Sequence, residues 1–139
     1  MNKIIAIVLS VTTMLILPAC QNDSNDSTSA SSSGNTITYE QITGAEAKAL
    51  MDSQTNYIII DARTQSEYDD GHILGAILIP EYEIKERAKN ELPDKNQLIL
   101  VYCRSGRRSK IAAEALVQLG YTNVKEFGGI IDWKYEIVK

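Results

Sequence analysis

Residues 98–120, LILVYCRSGRRSKIAAEALVQLG, constrain this chain more than any other stretch. Residues 98–102 form an unbroken apolar run rich in β-formers, the pattern of a parallel strand buried on both faces. From Lys110 onward, Ile111, Ala112, Ala115, Leu116 and Leu119 recur at helical spacing, while Lys110, Glu114 and Gln118 step round the opposite face. Gly120 follows as a natural stop. The pattern predicts a strand, a tight loop and a helix, with Cys103 where strand becomes loop. Open α/β sheets place their ligands at that point, the carboxyl end of a parallel strand facing the first turn of a helix.

The loop gives the cysteine a use. Arg104, Ser105, Gly106, Arg107, Arg108 and Ser109 follow it, and Ser105 and Gly106 let the backbone curl so that successive N–H groups converge. Three guanidiniums and a helix N-terminus favour thiolate over thiol, which makes Cys103 a candidate nucleophile at neutral pH. The plainer alternative is a small buried hydrophobe at a strand end. Apolar burial, however, does not call for three neighbouring arginines.

Ahead of this unit the chain reads as two exported segments. Lys3 supplies a positive start, residues 4–17 are an apolar stretch of leader length, and Leu17-Pro18-Ala19-Cys20 closes it. That closure resembles the lipobox of bacterial lipoproteins, in which the leader is cut before a cysteine that then receives lipid. Residues 1–19 are accordingly predicted to be a lipoprotein signal peptide, an ordinary cleaved secretory signal being the alternative. The apolar run is short for a membrane span. Residues 20–35 then comprise lipidated Cys20 and a polar run of serine, asparagine and aspartate that cannot bury enough apolar surface to fold. As a flexible tether of about 15 residues it lets the folded part range roughly 20–25 Å from its anchor. The expected location is the outer face of the cytoplasmic membrane, or the outer membrane in a two-membrane envelope.

Charge and cysteine count narrow the chemistry. The chain carries a formal net charge of −4, which argues against a nucleic-acid partner. It contains two cysteines; with Cys20 consumed by lipid, Cys103 is left with no partner for a disulfide, a CxxC pair or a cysteine-rich metal site. No dinucleotide glycine fingerprint or histidine cluster is present, so neither cofactor nor metal is expected. Outside the cytoplasm such a lone thiol is exposed to oxidation.

Residues 36–139 are predicted to be one α/β domain. Residues 37–39 read as a short first strand, and Thr43 and Glu46 as a capping box opening a helix to about Met51. Tyr57–Asp61 reads as a second strand, Thr64 and Glu67 as a second capping box, and Gly71 as the end of that helix. A third strand is expected at 77–79, a helix at 83–90, a last strand at 124–127, a sharp turn at Gly128 and Gly129, and a terminal helix or extended tail at 130–138. Strands alternating with helices imply a parallel sheet covered on both faces, with the loops at the strand ends on one side.

Asp61-Ala62-Arg63, Glu67-Tyr68, Gly71-His72-Ile73, Gly75-Ala76 and Ile79-Pro80 resemble, in order, the first signature of the rhodanese-like domain. Residues 102–109, YCRSGRRS, with Ala112-Ala113, Leu116, Gly120-Tyr121, Asn123-Val124, Gly128-Gly129 and Trp133, resemble the second. The resemblance implies a rhodanese-like fold, a five-stranded parallel sheet with helices on both faces. Because the cysteine is present, it also implies sulfurtransferase chemistry. Family members often continue past the tryptophan with a Gly-Leu-Pro turn, whereas Lys134 follows here.

On this resemblance the Cys103 thiolate takes the outer sulfur of a small anion such as thiosulfate or polysulfide, and a thiol or cyanide removes it from the resulting persulfide. Backbone N–H groups of the loop would hold the terminal sulfur, Arg108 would point inward, and Arg104 and Arg107 would meet donor anions at the rim. Asp61, which could lie near the active loop, is expected to brace it with an Arg63–Glu67 ion pair at i, i+4, and His72 to make a structural hydrogen bond. Tyr121, Phe127 and Trp133 read as packing residues. Two other classes stay open: a non-catalytic sulfur carrier or sensor, and a cysteine-dependent phosphatase or arsenate reductase. The latter enclose five residues between cysteine and arginine, whereas Cys103 and Arg108 enclose four. The protein is taken to be a monomer.

Overall fold

The computed structural model describes residues 38–139. The expected leader, the expected lipidation site Cys20, the expected polar tether, Thr36 and Ile37 lie outside the described residues. In chain order the elements are β1 (Glu40–Gln41), α1 (Gly44–Ser53), β2 (Tyr57–Asp61), α2 (Gln65–Asp70), β3 (His72–Ile73), β4 (Ala76–Leu78), α3 (Ile84–Glu91), β5 (Leu98–Cys103), α4 (Arg107–Gln118), β6 (Val124–Gly129), a 3₁₀ turn (Ile130–Asp132) and β7 (Ile137–Val138).

The main sheet has five parallel strands in the order β1-β6-β5-β2-β4. Its central strand β5 is buried along its whole length, as an unbroken apolar run requires. Alternation along the strands feeds two cores. On one face Ile60, Ile99, Val101, Cys103 and Val124 pack with Ile84 and Ala88 of α3 and Ala112, Ala113 and Leu116 of α4. On the other, Ile59, Leu100, Tyr102 and Phe127 pack with Ala47 of α1, Ile73 and Ala76. Each fully buried aliphatic side chain contributes roughly 1.5–3 kcal/mol to folding.

Both capping boxes are formed: Thr43 and Glu46 satisfy each other's backbone N–H groups, and Thr64 and Glu67 do the same. Tyr121 closes the α3 side, its hydroxyl lying 2.7 Å from Leu92 O and 2.8 Å from Ala88 O at the end of that helix.

Several boundaries differ from the expected ones, each for a local reason. The first strand forms at Glu40–Gln41, where the chain runs beside Lys125 and Glu126, and Thr38 and Tyr39 of the expected strand lie just ahead of it. The third strand is Ala76–Leu78, and Ile79 N–H already donates to Asp61 O in the turn beyond it. Helix α4 begins at Arg107, three residues before its apolar pattern does, because Gly106 at φ +99° delivers the chain directly into the helix. Its buried stripe is Ser109, Ala112, Ala113 and Leu116, at i, i+3, i+4 and i+7, which leaves Ile111 44% exposed rather than in the core. Gly128 and Gly129 belong to β6 instead of ending it in a turn. The tail is extended: β7 pairs antiparallel with β3, so that His72 and Ile73, outside every expected strand, form part of a second, two-stranded sheet.

Candidate functional site

Cys103 is the last residue of β5 and is 1% exposed. The β5–β6 register slips between Val101 and Cys103, so that Cys103 lies opposite Gly129. The loop then turns over the sulfur. Gly106 N–H donates to Cys103 Sγ at 3.1 Å, and α4 begins with the next residue. This requires the backbone of 104–106 to lie almost against β6: a Cβ on Gly129 would sit 2.2 Å from Arg104 O and 2.7 Å from Ser105 Cα. Ile131 N–H also donates to Arg104 O, tying the loop to the 3₁₀ turn.

The thiol pKa is set by opposing effects. Burial pushes it up, and the Ser109 hydroxyl together with the N–H groups of Ser109, Gly106 and Ser105 brings it down; the sum lies below the ordinary thiol value. Hydrogen bonding to the thiolate is the main effect that opposes burial. Arg104 and Arg107 are exposed at the rim. Arg108 is half-buried and held by Glu67 through two bonds of 2.7 Å, Nη1 to Oε2 and Nη2 to Oε1. The Glu67 carboxylate raises the Arg108 pKa most, with smaller contributions from Cys103 and Glu81.

The expected Arg63–Glu67 ion pair is not formed. Arg63 turns to Asp61, donating from Nε at 2.9 Å and from Nη2 at 2.6 Å, and reaches Gly71 O at 2.7 Å. Asp61 also accepts the Tyr102 hydroxyl at 2.6 Å, and that hydroxyl accepts from Ile73 N–H. Tyr102 belongs to the core opposite the one containing Cys103, so this buried network braces the sheet from its far face and stands apart from the cysteine loop. The bracing of the loop falls instead to Glu67. His72 stacks on Tyr68 with ring centroids 3.7 Å apart and places Nδ1 3.0 Å from Tyr68 O. Tyr121 and Phe127 are buried, and Trp133 packs against Phe127 with centroids 5.6 Å apart.

One residue of the site escaped the reading of the sequence. Glu126, in the middle of β6, is 3% exposed, and its Oε1 accepts from Ser109 Oγ at 2.6 Å and from Gly128 N–H at 2.8 Å. The available signal was a carboxylate two residues after Val124, on the same face of a strand expected to be buried, since such a group is buried only with partners. Among the described residues no three His, Cys, Asp or Glu side chains are placed to hold a metal ion.

A buried thiol at a strand end, ringed by converging N–H groups on an α/β sheet, defines a cysteine-based anion site. The chain belongs to the rhodanese-like domain family, whose model matches residues 43–136. It is 47% identical over 73 residues to the thiosulfate sulfurtransferase PspE of Escherichia coli, covering 52% of this chain and 70% of that protein. The thiosulfate sulfurtransferase GlpE of Coxiella burnetii is 34% identical over 97 residues, 69% of this chain and 88% of that one. Among solved structures, a rhodanese with anions from E. coli superimposes with a TM-score of 0.57 at 43% identity, covering 60% of this chain and 98% of its own.

Proposed function

We propose that the protein is a sulfurtransferase that carries sulfane sulfur on Cys103, from a small anionic donor such as thiosulfate or polysulfide to a thiol or cyanide. The observation that carries the reading is the sulfur of Cys103 at the base of a loop whose Gly106 N–H already points at it from 3.1 Å. In the first half-reaction the thiolate attacks the outer sulfur of thiosulfate. The bond between that sulfur and the sulfonate breaks, its electron pair leaves with sulfite, and a persulfide anion remains. In the second, cyanide attacks the terminal sulfur, thiocyanate leaves and the thiolate returns. Charge balances in each step without a cofactor. The loop amides that favour the thiolate are placed to receive the persulfide's negative sulfur in the same way. With Cys103 only 1% exposed, the donor must be small enough to reach into the loop.

Support for sulfur rather than phosphoryl chemistry comes from the relatives' names and from the four residues between Cys103 and Arg108. Thiocyanate production at varied thiosulfate and cyanide is expected to give parallel double-reciprocal lines, as ping-pong transfer requires. Stoichiometric persulfide with no turnover would favour a sulfur carrier instead. The reading includes export and lipid anchoring at Cys20, supported by the Leu17-Pro18-Ala19-Cys20 sequence. Metabolic labelling with a fatty-acid probe tests this: label on the wild type and none on Cys20→Ala is the expected outcome, and equal label on both overturns it.

A further inference from the structure

The Ser109 hydroxyl has one proton and too many claims upon it. Its oxygen lies 2.6 Å from Glu126 Oε1, 3.0 Å from Gly106 O and 3.4 Å from Gly128 O, and Cys103, whose thiol pKa the same hydroxyl lowers, is the further claimant that holds no formed hydrogen bond from it. All four neighbours can accept, and a serine hydroxyl donates only once. The shortest contact is to a carboxylate oxygen, the strongest acceptor of the set. Ser109 and Glu126 are both buried, so water does not relieve the competition.

We propose that Glu126 is a positioning residue for sulfur transfer: by holding the Ser109 hydroxyl proton at 2.6 Å it withholds that donor from the Cys103 sulfur. This rests on Cys103 being the sulfur carrier. The fold places Glu126 for the role. Val124 and Glu126 project to the α4 face of β6, and Ser109 opens the buried stripe of α4, so the carboxylate meets the hydroxyl beneath the loop. The same Oε1 takes Gly128 N–H, and a Cβ on Gly106 would lie 3.9 Å from it, so the carboxylate is fixed between β6 and the loop. Of the other charges nearby, all but Glu81, whose Oε2 is buried without a hydrogen-bond partner, are committed or face solvent. Arg108 is bound by Glu67 with Glu81 beside it, Arg63 by Asp61, and Arg104 and Arg107 are exposed. Next to Glu126 on its own strand, Lys125 pairs with Glu40.

The consequence is a tuned nucleophile. A thiolate that receives every available hydrogen bond is abundant but sluggish, because nucleophilicity falls with pKa. Glu126 withdraws one donor from the sulfur and keeps the attacking thiol more reactive.

The test is the pH profile of Cys103 alkylation by iodoacetamide, read by peptide mass, in wild type, Glu126→Gln, Ser109→Ala and the double variant. Glutamine holds the hydroxyl more weakly, so the Glu126→Gln midpoint is expected at lower pH than wild type. In the Ser109→Ala background the same change is expected to move nothing. Glu126→Asp, whose carboxylate is drawn back from Ser109, replaces Glu126→Gln if the latter does not fold, with the same expectation. A Glu126→Gln midpoint equal to wild type overturns the proposal, as does an equal shift in both backgrounds, which would show Glu126 acting directly on the sulfur by its charge. Absence of persulfide on wild-type Cys103 defeats the sulfurtransferase reading and leaves the alkylation result to stand or fall separately.

Discussion

Arg108 and Glu67, 41 residues apart, meet in a two-bond ion pair that joins the first turn of α4 to α2. The two helices follow adjacent strands, so the pair pins the cysteine loop to the neighbouring strand's own loop. Glu67 also caps its own helix through Thr64. Replacing it with alanine is expected to cost about 1–2 kcal/mol in urea unfolding, between the values for exposed and buried pairs, and to lower turnover with thiosulfate by loosening the loop. An unchanged unfolding midpoint contradicts this.

The same pair makes stability pH-dependent. The Arg108 guanidinium holds the Glu67 carboxyl down from an ordinary 4.5 to about 2. A carboxyl with a depressed folded pKa contributes fully above the unfolded value, and the contribution disappears as pH falls toward the folded one. The stability gap between wild type and Glu67→Gln is therefore expected to be steady from neutral pH to about 5, to shrink below that, and to close near pH 2. A gap that persists undiminished at pH 2 counts against the pair.

Gly128 and Gly129 should respond differently to alanine. At Gly129 a methyl group would lie 2.2 Å from Arg104 O, so the loop backbone must move; a loss of about 2–4 kcal/mol and of most activity is expected. Gly128 has open space at its Cβ but a φ of +85°, so its alanine variant should lose only about 1 kcal/mol. Chemical denaturation of the two variants, side by side, reads the difference directly; equal losses contradict the close approach.

Tyr102→Phe separates the sheet brace from the site. It removes a 2.6 Å hydrogen bond to buried Asp61 and leaves Ile73 N–H without its acceptor, at a cost of about 1–3 kcal/mol. Because that network lies on the face opposite Cys103, kcat/KM for the folded variant is expected to match wild type. A large drop in kcat/KM at full folding would place Tyr102 in the site after all.

How much of this could be read from the chain depends on the range of the interaction. Both capping boxes, β2 and the stop at Gly120 are local, and each is written in a few consecutive residues. The start of α4 was hidden because its buried stripe begins with Ser109, a polar residue that no hydropathy pattern marks as inward-facing. Arg63 and Glu67 have the spacing of an ion pair, yet Arg63 lies ahead of the helix and finds Asp61, while Glu67 finds Arg108 across the sheet. Spacing within a helix says nothing about a partner 41 residues away. Gly128 and Gly129 look like a turn, but one supplies a left-handed φ inside a strand and the other makes room for the cysteine loop. The β3–β7 pairing joins two-residue strands with no periodicity of their own.

The central claim, that Cys103 carries sulfur, is tested most directly by the intact mass of the reduced protein before and after thiosulfate, with Cys103→Ser alongside and sulfite measured in the same reaction. The predicted result is the mass of one sulfur atom gained by wild type alone, an equivalent of sulfite released, and the added mass lost again to cyanide with thiocyanate formed. A reduced Cys103 that gains no sulfur from thiosulfate or from polysulfide, or a Cys103→Ser variant that gains as much as wild type, would contradict it.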